Sequence, residues 1–155
     1  MNIFKAISDL KKDGKIIGFT ASTFDLLHAG HVIMLDEAKT QCDFLIVGLL
    51  TDPTKDRDTK NAPIQTTWER WIQTQALGSI DTIIPFDTEE DLENMIKVLK
   101  PDVRFVGDEY KNTKHTGHDI KGVNIIYNKR EHNYGSTQLR NKIYNQELPN
   151  HLIKK

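Results

Sequence analysis

Two histidines, three residues apart, are the clearest candidates for chemistry in this 155-residue sequence. His28 and His31 flank Gly30, after the apolar run 16–19 and before helical spacing that begins at Val32. Residues three apart on a helix share a face, so both imidazoles should point the same way. A helix start also presents free backbone N–H groups and partial positive charge, and a glycine there lets an anion approach the backbone. This pattern favours a phosphate site.

A metal site and a purely structural role are the alternatives for these histidines. Zinc usually takes about four protein ligands, and cysteines or further histidines are normally among them. Cys42 is the single cysteine, and no second Cys/His pair stands at zinc-finger spacing. We therefore predict no protein-bound metal and keep local hydrogen bonding at the helix start as the alternative to phosphate binding.

The length and composition indicate one domain, large enough to bury roughly two-thirds of its unfolded surface. The formal net charge is −1 and the signs are mixed along the chain, which argues against a general nucleic-acid or membrane-surface binder. No apolar run approaches the roughly 20 residues of a membrane span, and no signal-peptide pattern opens the sequence. The single cysteine fits a reducing compartment. We expect a soluble, cytoplasmic protein without nucleic-acid or membrane partners.

Strand-like and helix-like segments alternate, which predicts an α/β fold with a parallel sheet and right-handed crossovers. The predicted strands are 15–21, 43–50, 82–86, 103–106 and 123–127, and the predicted helices are 2–12, 30–40, one from Thr66 or Thr67, 89–99 and 136–144. The expectation is one Rossmann-like domain over 1–155, with five parallel strands and helices on both faces. It divides into an N-terminal helix (1–14), a core (15–147) and a polar tail (148–155). Helix 2–12 can pack on the sheet or on a partner subunit.

Four polar segments follow predicted strands. They are the histidine turn, the 51–63 loop, the loop after Gly107 and the segment 130–137. Ligands of parallel α/β sheets bind beyond the carboxyl ends of the strands, near a switch in strand order. These segments are therefore expected to meet in a single active site.

The residues before and between the histidines resemble a known signature. Residues 23–31, Thr-Phe-Asp-Leu-Leu-His-Ala-Gly-His, are similar to the motif of the HxGH nucleotidyltransferase superfamily. They resemble most closely its cytidylyltransferase branch, the glycerol-3-phosphate cytidylyltransferase-like enzymes. The resemblance extends from about residue 16 to about residue 143. It implies that an acceptor phosphate attacks the α-phosphorus of a nucleoside triphosphate, with catalysis by positioning and charge neutralisation.

The same resemblance implies roles for individual residues. The implied catalytic residues are His28, His31, Lys60 and Arg130. The implied nucleotide-binding residues are Thr23, Phe24, Gly30, Asp108, Ser136 and Thr137. Hydroxyls at a helix start, as at 136–137, can cradle a phosphate or simply cap the helix. A carboxylate at Asp108 can contact hydroxyls, lie near magnesium or cap a turn, with Glu109 as the weaker candidate.

Other residues keep more than one interpretation. The roles of Lys55, Arg57 and the 111–122 loop stay open. His115-Thr-Gly-His118 repeats the motif's spelling without its strand and apolar helix, so we interpret it as a coincidence in a polar loop that can close over the acceptor. Arg70 is expected to be structural, and two nearby tryptophans are expected in the core or a dimer contact.

The expected function is transfer of CMP from CTP to a small phosphorylated alcohol, with release of pyrophosphate and with Mg²⁺ brought by the triphosphate. The alternative of the same fold is an adenylyltransferase acting on a sugar phosphate, because such enzymes share Phe-Asp-Leu-Leu-His-Ala-Gly-His. A non-catalytic nucleotide-binding regulatory module is the alternative from another class. We expect a homodimer because members of this family usually pair.

Overall fold

Five parallel strands form one sheet in the computed structural model, which describes residues 2–153 and, of these, the side chains of residues 2–148. The strands are β1 (Ile17–Ser22), β2 (Phe44–Leu50), β3 (Thr82–Phe86), β4 (Val103–Gly107) and β5 (Asn124–Asn128). Their order across the sheet is β3-β2-β1-β4-β5. The helices are α1 (Ile3–Lys12), α2 (Ala29–Lys39), α3 (Thr67–Gln75), α4 (Glu89–Leu99) and α5 (Ser136–Ile153). The predicted single Rossmann-like domain is confirmed.

Apolar side chains cover the sheet on both faces. Ile7 of α1 and Ile96 of α4 pack with Phe19 in one core cluster. Leu35 of α2 packs with Leu45 in the other cluster, which Trp71 of α3 also contacts. Since a parallel strand is covered on both sides, β2 is apolar throughout.

Threonines cap two of the helices, and the first of these caps was predicted. Thr66 caps α3 and Thr88 caps α4, each in a reciprocal capping box with the acidic residue three positions later. Thr66, rather than Thr67, is therefore the N-cap of α3. Two short 3₁₀ turns, Pro53–Lys55 and Asp108–Tyr110, follow β2 and β4.

Helix α1 packs on the sheet, which was one of the two alternatives for this segment. Ile7 is buried, and Lys11 donates to the carbonyl of Lys100 at the end of α4. Of the two tryptophans, Trp71 packs against the core while Trp68 is 68% exposed. The prediction of a homodimer stays a prediction.

Helix α5 is longer than predicted, and this is a correction to the sequence analysis. It continues to Ile153 instead of ending near residue 144, so most of the predicted polar tail is helical. Polar composition indicates solvent exposure, and it does not by itself stop a helix. Within residues 2–153, no helix is long and apolar enough to cross a membrane.

The strand order reverses beside β1. The chain adds β2 and β3 on one side of β1 and then β4 and β5 on the other. Phe19 of β1 is in register with Arg104 of β4, and the Thr20 hydroxyl donates to the carbonyl of Phe105 at 3.2 Å. Crossovers leave this point in opposite directions, so a crevice opens beyond the carboxyl ends of the two strands.

Candidate active site

A cleft of about 980 Å³ opens at this switch point. The four polar segments predicted to converge all contribute to its walls, as does the 114–119 stretch of the loop before β5. The predicted site residues that line the cleft are Thr23, Phe24, His28, Gly30, His31, Lys60, Arg130, Ser136 and Thr137.

Asp108 is the exception among the predicted site residues. It is exposed at the start of its 3₁₀ turn and does not line the cleft, whereas Gly107, Glu109 and Tyr110 do. The order of preference between the two acidic residues is therefore reversed by the structure. Residues 108–110 form a 3₁₀ turn, in which successive side chains point roughly 120° apart. The sequence does not show which of them faces the cleft.

The turn between β1 and α2 has an unusual backbone. Phe24 and Leu26 have φ values of 50° and 51°, a left-handed conformation that costs a non-glycine residue about 1–3 kcal/mol and persists where surrounding contacts impose it. Those contacts surround Asp25. Its carboxylate accepts from the backbone N–H groups of Ile64 (3.0 Å) and Gln65 (2.9 Å).

Asp25 also joins the turn to the last helix. Arg140 of α5 donates to its carboxylate at 2.6 Å. Burial acts to raise the pKa of Asp25, but the backbone donors of Gln65 and Ile64, together with Arg140, bring the pKa below its ordinary value. A charged Asp25 therefore holds the turn, the 51–65 segment and α5 together.

His28 and His31 stack face to face, with ring centroids 3.8 Å apart and planes 20° apart. Burial lowers the pKa of His31 to about 3, and the neighbouring His28 adds to the effect. Burial also lowers the pKa of His28, assisted by the positive charge of Arg130. Both rings are therefore neutral near pH 7. In both, Nδ1 is buried and has no hydrogen-bond partner among residues 2–148, so Nε2 is the nitrogen available to a ligand.

The tautomer of His28 follows from its neighbour Ser136, the first residue of α5. The Ser136 hydroxyl lies 3.3 Å from the carbonyl of Asp25 and 3.3 Å from Nε2 of His28. A carbonyl can only accept, so the hydroxyl donates to Asp25 and accepts from His28. Neutral His28 therefore has its proton on Nε2 and donates it to the Ser136 hydroxyl in this structure.

Gly30 allows the last loop to approach the start of α2. A Cβ at Gly30 would lie 2.8 Å from the carbonyl oxygen of Tyr134 and 2.9 Å from Cε1 of His132. The space that the sequence analysis gave to an anion is thus partly taken by the chain itself. Arg130 completes this loop by donating to the same Tyr134 carbonyl at 2.7 Å.

The basic residues of the 51–63 loop differ in whether they form ion pairs within the chain. Lys55 pairs with Asp87 at 2.7 Å, and Arg57 pairs with Glu89. Lys60 is exposed at the cleft, and its ammonium has no ion pair in the part of the chain whose side chains are described. Lys60 is therefore the loop cation available to a ligand without breaking a contact.

Arg70 has the structural role expected of it. Its side chain is 1% exposed and donates to the carbonyls of Thr23, Leu50 and Thr51 at 2.6–2.8 Å. These carbonyls lie at the ends of β1 and β2, so Arg70 fixes the two strand ends from which the histidine turn and the 51–63 loop emerge.

Arg104 is a cleft residue that the sequence analysis missed. It lies in β4, is 6% exposed, and donates to the carbonyl of Thr116 in the loop before β5. That loop includes His115 and His118, and both line the cleft. The available signal was a single arginine inside the apolar run Val-Arg-Phe-Val, since a buried charge in a strand needs a partner.

The described residues contain no cluster of three or more His, Cys, Asp or Glu side chains that could hold a metal ion. Asp25, the most buried carboxylate at the cleft, is already occupied by three donors. The described donor set therefore fits a cation held largely by phosphate oxygens, as Mg²⁺ commonly is.

The sheet order, the switch-point cleft and the paired histidines at a helix start define a nucleotidyltransferase-type α/β domain. Residues 19–146 match the family model described as cytidylyltransferase-like, and the chain belongs to that family. Similar curated proteins include the bifunctional protein HldE of Caulobacter vibrioides, 40% identical over 108 residues, and that of a Nitratiruptor species, 38% identical over 120 residues. These matches cover 69% and 76% of this chain but only 22% and 26% of the relatives.

Solved structures agree on the fold. The lipopolysaccharide core biosynthesis protein of Thermoplasma volcanium is 26% identical with a TM-score of 0.60, and the match covers 79% of this chain and all of that one. The pantothenate synthetase of Thermus thermophilus is 13% identical with a TM-score of 0.59, over 88% of this chain and 68% of that one. At that identity the second likeness concerns the fold alone.

Proposed function

We propose that this chain transfers a nucleoside monophosphate from a nucleoside triphosphate to a small phosphorylated acceptor, and that ATP and a sugar phosphate are its substrates. The observation that supports this most directly is the stacked, neutral pair His28 and His31 at the start of α2. The pair faces a cleft that also contains Lys60, Arg130 and the start of α5.

The reaction needs positioning and charge neutralisation more than covalent chemistry. An oxygen of the acceptor phosphate forms a bond to the α-phosphorus, the bond from that phosphorus to the bridging oxygen breaks, and pyrophosphate leaves. The Nε2 side of each histidine ring would face the phosphate oxygens, where charge increases. The His28 Nε2–H, which is donated to Ser136 in this structure, would be shared with or turned to a phosphate oxygen. Lys60 and Arg130 bind the remaining phosphate oxygens, and backbone N–H groups at the start of α5 add a second phosphate cradle.

Two comparisons favour a sugar phosphate and ATP over the expected phosphorylated alcohol and CTP. The Thermoplasma protein is described as acting in biosynthesis of the lipopolysaccharide core, which is built from sugars. The motif Phe-Asp-Leu-Leu-His-Ala-Gly-His also resembles that of sugar-phosphate adenylyltransferases. Transfer of CMP to a phosphorylated alcohol is the second candidate, and the cytidylyltransferase-like family description supports it.

The proposal includes Mg²⁺, which would bind together with the triphosphate and offset part of its negative charge. Glu109, at the rim of the cleft, is the carboxylate we propose as nearest to it or to the ribose hydroxyls. We further propose that the active form is a homodimer, with the exposed Trp68 and Ile72 one turn apart on α3 as the surface to examine first.

The test is a substrate matrix. The protein is incubated with Mg²⁺, each of the four nucleoside triphosphates, and sugar phosphates or phosphorylated alcohols. Pyrophosphate release is measured and the conjugate is identified by mass spectrometry. ATP-dependent release with a sugar phosphate supports the proposal, and CTP-dependent release with an alcohol phosphate supports the second candidate. Nucleotide binding without release from any pair would contradict both and favour a regulatory module.

A further inference from the structure

We infer that Arg104, Glu89 and Thr116 form the subsite for the body of the acceptor, and that this subsite selects a hydroxyl-rich acceptor such as a phosphorylated sugar. The inference rests on the proposed function and deepens it. No part of the HxGH motif is involved, and the three residues come from β4, the start of α4 and the loop before β5.

A buried guanidinium is the starting point. Arg104 is 6% exposed and lines the cleft, and burial lowers the pKa of its side chain while the nearby Glu89 opposes that effect. Its bond to the Thr116 carbonyl uses one of five N–H donors. No Arg104 nitrogen is buried without a partner among the described side chains, so its remaining donors reach the cleft that it lines, where the oxygen atoms of a ligand can accept from them.

Glu89 supplies the complementary acceptors. One oxygen of its carboxylate accepts from Arg57 and the other from the Thr116 hydroxyl. The Nε of Arg57 is buried and has no partner within residues 2–148. The side chains of Arg57, Arg104, Glu89 and Thr116 therefore meet on one wall of the cleft, called the Arg104 wall below. This wall offers hydrogen-bond donors and acceptors side by side.

The Arg104 wall lies on the opposite face of the sheet from the histidines. A Cβ on Gly117 would lie 2.8 Å from Nη1 of Arg104 and 3.0 Å from Cδ1 of Ile96 in α4. The guanidinium is therefore on the α4 side of the sheet, whereas His28 and His31 belong to α2 on the other side. An acceptor whose phosphate approaches the histidines across the switch point would extend its remote end towards Arg104.

The chemistry of the Arg104 wall discriminates between the two substrates that share the cleft. A nucleobase is flat and neutral, and it is usually held by apolar faces with a few edge contacts. Adjacent sugar hydroxyls each donate and accept, which matches a guanidinium beside a carboxylate. A site built for a hydroxyl can reject an analogue that lacks it by a factor on the order of 10⁴, because its buried groups are then left unpaired.

The experiment measures binding separately from turnover. Dissociation constants of mannose 1-phosphate, glucose 1-phosphate, their deoxy analogues and glycerol 3-phosphate are determined by calorimetry with a non-hydrolysable ATP analogue present. We compare the unaltered chain with Arg104→Gln and with Lys121→Gln, a control at an exposed lysine of the same loop that does not line the cleft. Thermal unfolding verifies each fold, and Glu89→Gln replaces Arg104→Gln if that variant is unfolded.

At least one sugar phosphate should bind more tightly than glycerol 3-phosphate. Its dissociation constant should rise at least about ten-fold in Arg104→Gln, as expected for a lost charged hydrogen bond, and stay unchanged in Lys121→Gln. The preference over the deoxy analogue should shrink in Arg104→Gln, which a merely structural role would not produce. Binding of the ATP analogue should be the same in all three chains.

Three results would overturn the inference. In the first, no sugar phosphate binds to the unaltered chain. In the second, the sugar phosphate binds to Arg104→Gln as tightly as to the unaltered chain. In the third, Arg104→Gln weakens binding of the ATP analogue alone, which would place the nucleotide at the Arg104 wall. Failure of the proposed function is distinct from these: the sugar phosphate would then bind in an Arg104-dependent manner, but no pyrophosphate would be released with any triphosphate.

Discussion

The Nε2 atom of His28 and the hydroxyl oxygen of Ser136 lie 3.3 Å apart although 108 residues separate them in sequence. This contact joins the first β–α turn to the start of the last helix, the two elements that we propose bind phosphate. It also fixes which nitrogen of His28 bears the proton. The contact implies that the orientation of the His28 imidazole depends on α5 as well as on α2.

Replacing Ser136 with alanine should therefore lower kcat/KM on the order of ten-fold, less than loss of the imidazole itself, because the ring is no longer held in its productive orientation. Steady-state kinetics would measure the loss, and ¹⁵N NMR of the His28 ring would show a mixture of tautomers. Ser79→Ala is the matched control, since the Ser79 hydroxyl is buried without a partner among the described side chains. An unchanged tautomer in Ser136→Ala would contradict this account.

Removing either motif imidazole should have a larger effect. His28→Ala and His31→Ala each remove a donor aimed at the phosphoryl oxygens, and such a loss typically costs about 10² to 10³ in rate. We expect at least about a 100-fold decrease in kcat with the fold retained, as measured by pyrophosphate release and circular dichroism. Near-normal turnover in either variant would remove that histidine from the mechanism.

The pKa of His31 predicts a pH dependence of stability. Its folded pKa is about 3, below the ordinary value near 6.5. Between these values the unfolded chain binds the proton and the folded chain does not, so the contribution of His31 is complete above about pH 6.5 and decreases as the pH falls. The slope approaches about 1.4 kcal/mol per pH unit.

Urea denaturation at pH 7, 6 and 5 would test this prediction against His31→Gln, which cannot titrate. The unaltered protein should lose more unfolding free energy on acidification than the variant does. Parallel curves for the two proteins would show that His31 is not held neutral by burial.

The sequence was sufficient for those parts of the molecule that local patterns determine. The apolar run of β2, the capping threonine before α3, and the strand–turn–helix around His28 each follow from residue types at fixed spacing. These features depend on neighbours in the chain, and the fold they predict is the fold observed. The structural role of Arg70 was expected too, but its burial against three strand-end carbonyls depends on contacts about 20 to 47 residues away.

Features that depend on contacts between residues far apart in the chain could not be predicted from the sequence. Arg104 becomes a cleft residue only because the loop before β5 folds back over β4, and Asp108 leaves the cleft because of the local turn geometry. The packing of the His132–Tyr134 segment against Gly30 joins residues about 100 positions apart, so no local pattern predicts it.

Gly30 offers a direct test of that packing. In Gly30→Ala the new methyl group would meet the Tyr134 carbonyl at 2.8 Å and the His132 ring at 2.9 Å, so the 132–136 segment must move away from α2. Because that segment positions Ser136, we expect kcat/KM to fall on the order of 100-fold. Gly78→Ala is the control, since a methyl group there has nothing within 4 Å, and equal activity of the two variants would contradict the prediction.

Asp25 should contribute to both stability and activity. Asp25→Ala leaves the Ile64 and Gln65 N–H groups and the Arg140 guanidinium without their acceptor. Because Arg140 is 27% exposed and can be solvated, we expect a loss of about 1–3 kcal/mol, the cost of buried donors left unsatisfied. The left-handed residues Phe24 and Leu26 would then be free to relax, which would displace His28 and reduce turnover. Urea denaturation at pH 7 would measure the loss, with the exposed Asp36→Ala as a control expected to change stability by less than about 0.5 kcal/mol.

The pH dependence of this loss identifies its electrostatic part. The pKa of Asp25 is lowered in the folded chain, so its contribution is complete above the ordinary carboxyl pKa near 3.9 and declines as the pH falls through the folded value. The difference in unfolding free energy between the unaltered protein and Asp25→Ala should therefore be constant from pH 7 to 5 and shrink below about pH 4. A difference that stays the same down to pH 3 would mean that Asp25 stabilises the turn by packing and not by its charge.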